Sequence, residues 1–190
     1  MTMRIMFITG LTGGGKTIGM TFFALAEYQS GKKIFTNYRC QFSTQVGLAD
    51  LIETLYSLDH KDTNPVIAPD RKPKVLCLDE VHTMWDSYRS FSASALDIGY
   101  FADQHRKINC DILYTSQHPE RIHKSLRGIT TDICYCESIP PNEKENPIAF
   151  RYTFTNRFST KINEIVIPTK IMKPLFNLYD TYQRIVPVER

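Results

Sequence analysis

The sequence predicts an α/β fold: a mainly parallel central sheet with helices on its faces, followed by a late antiparallel extension. Three observations carry this. An apolar run, Arg4-Ile5-Met6-Phe7-Ile8-Thr9, leads into a glycine-rich turn and then a helix-like stretch. Apolar runs of strand length then alternate with helical patterns as far as residue 126. After that point strand-like runs follow one another with only turns between, which favours antiparallel pairing.

Taken in order, strand one is expected over 3–9. A helix follows over 16–30, with Gly31 in the position that ends helices. Lys32-Lys33-Ile34-Phe35-Thr36-Asn37 reads as strand two. Residues 46–58 carry apolar positions at helical spacing: Val46, Leu48, Leu51, Ile52, Leu55 and Leu58. From 60 to 73 the chain is polar and carries Pro65, Pro69 and Pro73, as a surface loop does. Strand three is 74–79, a helix spans 92–107, and Cys110 to Thr115 form the next strand. A short helix is expected at 119–126. Strands follow at 131–138, 148–155 and 163–167, the first two joined by a turn at 140–147. An aromatic stretch, 175–183, closes the chain. All 190 residues read as one domain, with 148–190 as its extension.

Composition narrows the class. Hydrophobic residues make up 42% of the chain and charged residues 23%, enough for a sizeable core and against disorder. A net charge of +3 does not by itself announce a nucleic-acid partner. The five cysteines include no C-x-x-C pair and read as reduced thiols of a cytoplasmic protein. Cys134 and Cys136 are spaced to share one strand face. The amino terminus runs straight into a strand, unlike a signal peptide, and no apolar run approaches the ~18 residues of a membrane helix.

The chemistry is concentrated in Gly10-Leu11-Thr12-Gly13-Gly14-Gly15-Lys16-Thr17. It fits G-x-x-x-x-G-K-[ST], a phosphate-binding loop, in the required strand-to-helix context. Backbone N–H groups can wrap a triphosphate only in unusual φ/ψ, which glycine permits. Gly10, Thr12, Gly13, Gly14, Gly15, Lys16, Thr17 and Ile18 are the candidate nucleotide contacts. Lys16 would reach the β- and γ-phosphates and Thr17 a Mg²⁺ ion. The helix after the loop turns its N-terminus toward the anion. ATP and Mg²⁺ are thus the expected ligands.

Val75-Leu76-Cys77-Leu78-Asp79-Glu80 supplies the partner motif. Four apolar residues make a buried parallel-type strand, whose carboxyl end is where open α/β sheets bind ligands. Asp79 is the expected second metal residue. Glu80 is the candidate for orienting and deprotonating an attacking water. An acidic strand end is a plainer reading of this segment alone; the loop upstream makes the pairing specific. An adjacent Asp-Glu suits water attack better than transfer to a chosen hydroxyl, and no arginine-rich lid marks a kinase. Gln117, just past a strand end, is placed to sense a γ-phosphate, although a loop or cap glutamine reads the same way. Arg106 and Arg127 are candidates for an arginine acting on a neighbour's γ-phosphate; each also reads as a solvated surface arginine. His105, His118 and His123 read as surface or interface histidines, lacking partners at metal-ligand spacing.

With these residues in view, the chain resembles the zonula occludens toxin-like family, which groups with filamentous-phage assembly ATPases in the FtsK–HerA superfamily. The resemblance runs through Phe7 to Thr17, Leu78-Asp79-Glu80-Val81-His82 and Gln104-His105-Arg106-Lys107. It continues through Thr115-Ser116-Gln117, Ser125-Leu126-Arg127-Gly128 and Leu175 to Thr181. It implies a RecA-like three-layer P-loop NTPase that couples ATP hydrolysis to moving nucleic acid, with DNA the expected substrate, as a ring-type homo-oligomer such as a hexamer. It also implies that Arg106 is the better candidate for the trans-acting arginine, with Arg127 second. Extrusion members continue into a membrane helix, so a membrane partner is expected only if the natural chain extends past Arg190. Otherwise a soluble packaging motor of the host cell cytoplasm, peripheral to membrane or virion, fits better. The alternative is a nucleotide-switched virion assembly protein that docks coat or membrane partners through Phe176, Tyr179 and Tyr182 without translocating DNA; capsid or coat proteins are partners to expect in either case. Those three positions also suit a helix packed on its own core, which is the plainer reading.

Overall fold

The computed structural model describes residues 3–47, 73–84, 109–140 and 146–180. Strand β1 (Ile5–Thr9) is buried along its whole length, as an apolar run with no polar alternate requires. It lies between two parallel neighbours, β5 (Cys110–Thr115) and β6 (Asp132–Ile139). Beyond β5 come β4 (Lys74–Leu78), β2 (Lys33–Thr36) and the two-residue β3 (Thr44–Gln45), all parallel. Beyond β6 come β7 (Ala149–Asn156) and β8 (Lys161–Pro168), both antiparallel. The order among the described residues is therefore β3-β2-β4-β5-β1-β6-β7-β8. The expected parallel sheet with a late antiparallel extension is the observed one.

Successive residues of β1 supply two cores. Ile5 and Phe7 pack on one face with Leu76, Leu78, Ile112 and Tyr114. Met6 and Ile8 pack on the other with Val75, Cys77 and Leu113. Helix α1 (Lys16–Gln29) covers the second face through Ile18, Met20 and Ala24. It ends where Gly31, at φ +94°, turns the chain out and donates its N–H to the Tyr28 carbonyl at 2.9 Å. A second short helix, α2 (Val81–Met84), follows β4. Helix α3 (Lys124–Ile129) covers the first face through Leu126. Near the end of the described chain, α4 (Thr169–Met172) and a 3₁₀ turn (Lys173–Asn177) return to the α1 side through Met172 and Leu175. Helices thus lie on both faces, the three layers expected. Cys134 and Cys136 share the α1-side core, as their spacing predicts.

Four expectations need correction or fall outside. The single helix at 119–126 is a 3₁₀ turn (Pro119–Arg121) and then α3, because Ile122 is extended (φ −72°, ψ 134°) to reach the core. Val46 does not begin a helix: it follows β3 with its N–H on the Thr36 carbonyl at 2.8 Å. The remainder of 46–58 and the helix at 92–107 lie outside the described residues. The aromatic tail is not a helical face either. Tyr179 is buried edge-on against Tyr38, and Phe176 alone of the described pair is exposed; Tyr182 lies outside.

One topological fact positions the site. Strands β1 and β4 are not neighbours, because β5 lies between them. The residues that leave β5, Thr115 to Gln117, therefore emerge between the loop after β1 and the carboxylates after β4.

Candidate functional site

Gly10 leaves β1 at φ +145°, and a Cβ there would run into the carbonyl oxygen of Cys136 on β6. Gly15 caps α1 at φ +89°, and a Cβ there would lie 2.5 Å from the Phe150 ring on β7. Both positions need glycine twice over, for the backbone angle and for the space. The loop is thus seated on the antiparallel extension. The Tyr152 hydroxyl, also from β7, donates to the Gly15 carbonyl at 3.2 Å. Lys16 is buried, and its ammonium donates to the Gly10 and Leu11 carbonyls at 3.1 Å each. The charge therefore sits over the loop's own backbone. The Ile18 side chain belongs to the core, so its part in anion binding falls to its backbone N–H.

Across the sheet edge, Asp79 emerges one residue past β4 and is 9% exposed. Its Oδ1 accepts from Thr115 at 2.6 Å, and the Thr17 hydroxyl lies 3.0 and 3.1 Å from its two oxygens. Asn37 clamps the Asp79 backbone, accepting its N–H at 2.8 Å and donating to its carbonyl at 2.9 Å. Burial pushes the Asp79 carboxyl above its usual range, and the adjacent Glu80 charge adds to this. The Thr115 and Thr17 bonds and the Lys16 charge pull it back. A buried carboxylate facing a threonine hydroxyl at the mouth of a lysine-bearing loop is a hard-oxygen donor set of the kind that suits Mg²⁺. A divalent cation there would offset the desolvation of Asp79.

Glu80 is held at φ +49°, a left-handed conformation uncommon for a non-glycine residue. Its N–H donates to the Thr115 hydroxyl at 2.8 Å. Its Oε1 accepts from Gln117 Nε2 at 2.9 Å, while Gln117 Oε1 accepts from Thr12 of the loop at 3.1 Å. Gln117 therefore bridges the phosphate loop and the candidate base. The structure brings together Thr12, Lys16, Thr17, Asp79, Glu80 and Gln117 at one sheet edge.

Arg106 and His105 lie outside the described residues. Arg127 is exposed on α3, on the sheet face opposite α1. That helix runs back toward the amino-terminal edge, where the Thr131 N–H meets the Ile5 carbonyl. None of the described side-chain bonds of the loop goes to Arg127. His118 is exposed, beside Glu120 at 3.3 Å. His123 is not a surface histidine: it is buried, and its Nδ1 accepts the Ser125 N–H at 3.3 Å as the cap of α3. Sequence reasoning missed Asn37, Thr115, Phe150 and Tyr152. The first two follow strands or end them, so a survey of polar residues at strand ends would have found them. The other two carry no local signal, because their role exists only through the β6–β7 pairing.

The family model for zonular occludens toxin (Zot) matches residues 4–184. No curated protein matches. Among solved structures, the chain is similar to the N-terminal domain of zonular occludens toxin from Neisseria meningitidis. That match has a TM-score of 0.62 and 16% identity over 95% of this chain and 100% of that one. It is also similar to the genome packaging NTPase B204 from Sulfolobus turreted icosahedral virus 2 in complex with AMPPCP, with TM-score 0.54 and 9% identity over 87% and 97%. B204 from Sulfolobus turreted icosahedral virus, described as a DNA-packaging ATPase, matches with TM-score 0.52 and 12% identity over 86% and 96%. At these identities the structural likeness carries the fold.

Proposed function

Because the chain belongs to the zonular occludens toxin family, we propose that it is an ATP-hydrolysing motor that moves nucleic acid, DNA above all, during viral genome packaging or virion assembly. The observation that carries the hydrolytic part is the bridge Thr12–Gln117–Glu80, which ties the phosphate loop to a carboxylate. The packaging role draws on the fold shared with B204, a viral genome packaging NTPase.

In this reading Lys16 leaves its loop carbonyls to meet the β- and γ-phosphates, with N–H groups of the loop and of the first turn of α1 around them. Thr17 and Asp79 would hold Mg²⁺, which when bound neutralises charge on the β- and γ-phosphate oxygens. Glu80 orients a water in line with the γ-phosphorus and takes its proton. Gln117 Nε2 keeps one hydrogen on Glu80 and gives its other to the γ-phosphate, so that the presence of that phosphate is felt at Glu80. Arg106, with Arg127 second, would complete a neighbour's site in a ring of copies such as a hexamer. Nucleic acid would be gripped through its phosphates, independent of sequence. Such a motor works in the host cytoplasm, peripheral to membrane or capsid.

ATP turnover measured with and without DNA tests the proposal. The wild-type chain should turn over faster with DNA. Lys16→Ala should lose nucleotide binding, and Glu80→Gln should bind ATP while hydrolysing it about 10²–10⁴-fold more slowly. Turnover indifferent to DNA, with coat protein retained by a monomeric chain, would instead support the nucleotide-switched assembly protein.

A further inference from the structure

The two oxygens of the Glu80 carboxylate have different surroundings. Oε1 faces the loop and accepts from Gln117 at 2.9 Å. Oε2 is buried and has no hydrogen-bond partner of good geometry. Its polar neighbour is Nδ1 of His82, at 3.2 Å, on the first turn of α2. A buried carboxylate oxygen without a donor is costly, so the identity of that neighbour matters.

The contacts of His82 with Ser116 and Glu80 suit a hydrogen on Nδ1. Nδ1 also lies 3.1 Å from the Ser116 hydroxyl. That hydroxyl donates to the His118 carbonyl at 3.2 Å and accepts the His118 N–H at 3.0 Å. When the serine hydrogen goes to that carbonyl, its oxygen is left as an acceptor toward His82. An imidazole with hydrogen on Nδ1 then donates to Ser116 Oγ and turns its positive edge toward Glu80 Oε2, 3.2 Å away and outside hydrogen-bond geometry here. The other tautomer would leave Oε2 facing a lone pair.

We infer that His82 is a positioning residue for the candidate base: its Nδ1–H faces Glu80 Oε2 at 3.2 Å and draws that oxygen to its own side, so that Oε1 is the oxygen presented to the attacking water. The inference rests on the ATPase reading above. The polar contacts described for His82 go to Glu80 and Ser116, so it acts through Glu80. Its loss lowers the rate of the chemical step and leaves nucleotide affinity alone. Asn in its place puts an amide N–H close to the Nδ1 position, whereas Leu keeps bulk and removes the donor.

The test is steady-state ATP turnover of the full chain, with a fluorescent ATP analogue titrated separately for affinity. His82→Leu should lower kcat at least tenfold with KM and analogue affinity within twofold. His82→Asn should recover most of the lost kcat. Should His82→Leu not fold, His82→Ala replaces it in the comparison with His82→Asn. A kcat within twofold of wild type in the donorless variant overturns the inference while leaving the ATPase reading standing. So does an equal loss in both variants, or a loss confined to KM. A wild-type chain no faster than Glu80→Gln overturns the ATPase reading and this inference with it.

Discussion

The Thr115 hydroxyl donates to Asp79 Oδ1 at 2.6 Å, and its oxygen accepts the Glu80 N–H at 2.8 Å. One side chain at the end of β5 thus sets both acidic residues, one through its carboxylate and one through its backbone. Thr115→Val keeps the shape and removes both bonds, leaving the Glu80 N–H unpaired and Asp79 short of a donor. Stability should fall by about 1–3 kcal/mol, read as a lower urea midpoint at constant slope. Thr115→Ser keeps the hydroxyl and should stay near wild type in the same titration. Equal midpoints for the Val variant and wild type would mean that Asn37 alone holds this corner.

Gly15 makes a second prediction. Alanine there meets both a strained φ of +89° and the Phe150 ring. Gly15→Ala should abolish binding of a fluorescent ATP analogue and destabilise the fold by more than the ~1 kcal/mol of an ordinary glycine replacement at positive φ. Shortening the ring in Gly15→Ala/Phe150→Leu relieves only the clash. Its stability should recover in part while nucleotide binding stays lost, a non-additive pair expected of residues in contact.

Asp79 sets function against stability. Burial raises its carboxyl pKa in the folded chain, so the folded state disfavours the charged form. The charge therefore costs stability in full above the raised folded value. That cost shrinks as pH falls through it and is gone below the ordinary aspartate value of 3.8. Asp79→Asn can still accept from Thr115 and Thr17, so at pH 7 the nucleotide-free variant should melt higher, by about 2–4 °C per kcal/mol relieved. The gain should vanish below pH 3.8, where wild type is also neutral. The same variant should lose Mg²⁺-dependent turnover. A lower melting point at pH 7 would show that the hydrogen bonds outweigh the desolvation.

What could be read in advance follows the range of the interactions concerned. Lys16, Thr17, Asp79 and Glu80 are legible because their chemistry needs fixed residue types at fixed local spacing. Gln117 was legible from its place past an apolar run. Its bond to Thr12 was not, because that depends on β5 lying between β1 and β4. The break at Ile122 was hidden by helical spacing on both sides: a buried isoleucine needed by the core overrides local propensity there. The short β3 was missed for a similar reason. Thr44 and Gln45 are polar and exposed, and they pair as a strand only because Phe35 and Thr36 present an open edge. The support of the loop by Phe150 and Tyr152 lies furthest from local sequence. It arises from an antiparallel register that places Cys136 opposite Tyr152.

Tyr152 tests that support. Its ring is fully buried, edge-on to Phe23 at 5.4 Å, and burial drives its phenol so far up that it remains a donor at any working pH. The hydroxyl meets the Gly15 carbonyl, which also accepts the Gly19 N–H at 2.9 Å. Tyr152→Phe therefore leaves no backbone group unpaired and should cost only about 0.5–1.5 kcal/mol of stability. The carbonyl it releases belongs to the residue that caps α1, where the chain turns from loop to helix. Loosening that joint should weaken nucleotide binding about 2–10-fold, a change of up to about 1.4 kcal/mol. Glu80, Gln117 and Asp79 are untouched, so kcat at saturating ATP should hold. The measurement is a paired one, analogue affinity by fluorescence titration and kcat by phosphate release. Unchanged affinity would mean that the loop is set by Gly10 against Cys136 and Gly15 against Phe150, with the β7 hydroxyl adding nothing.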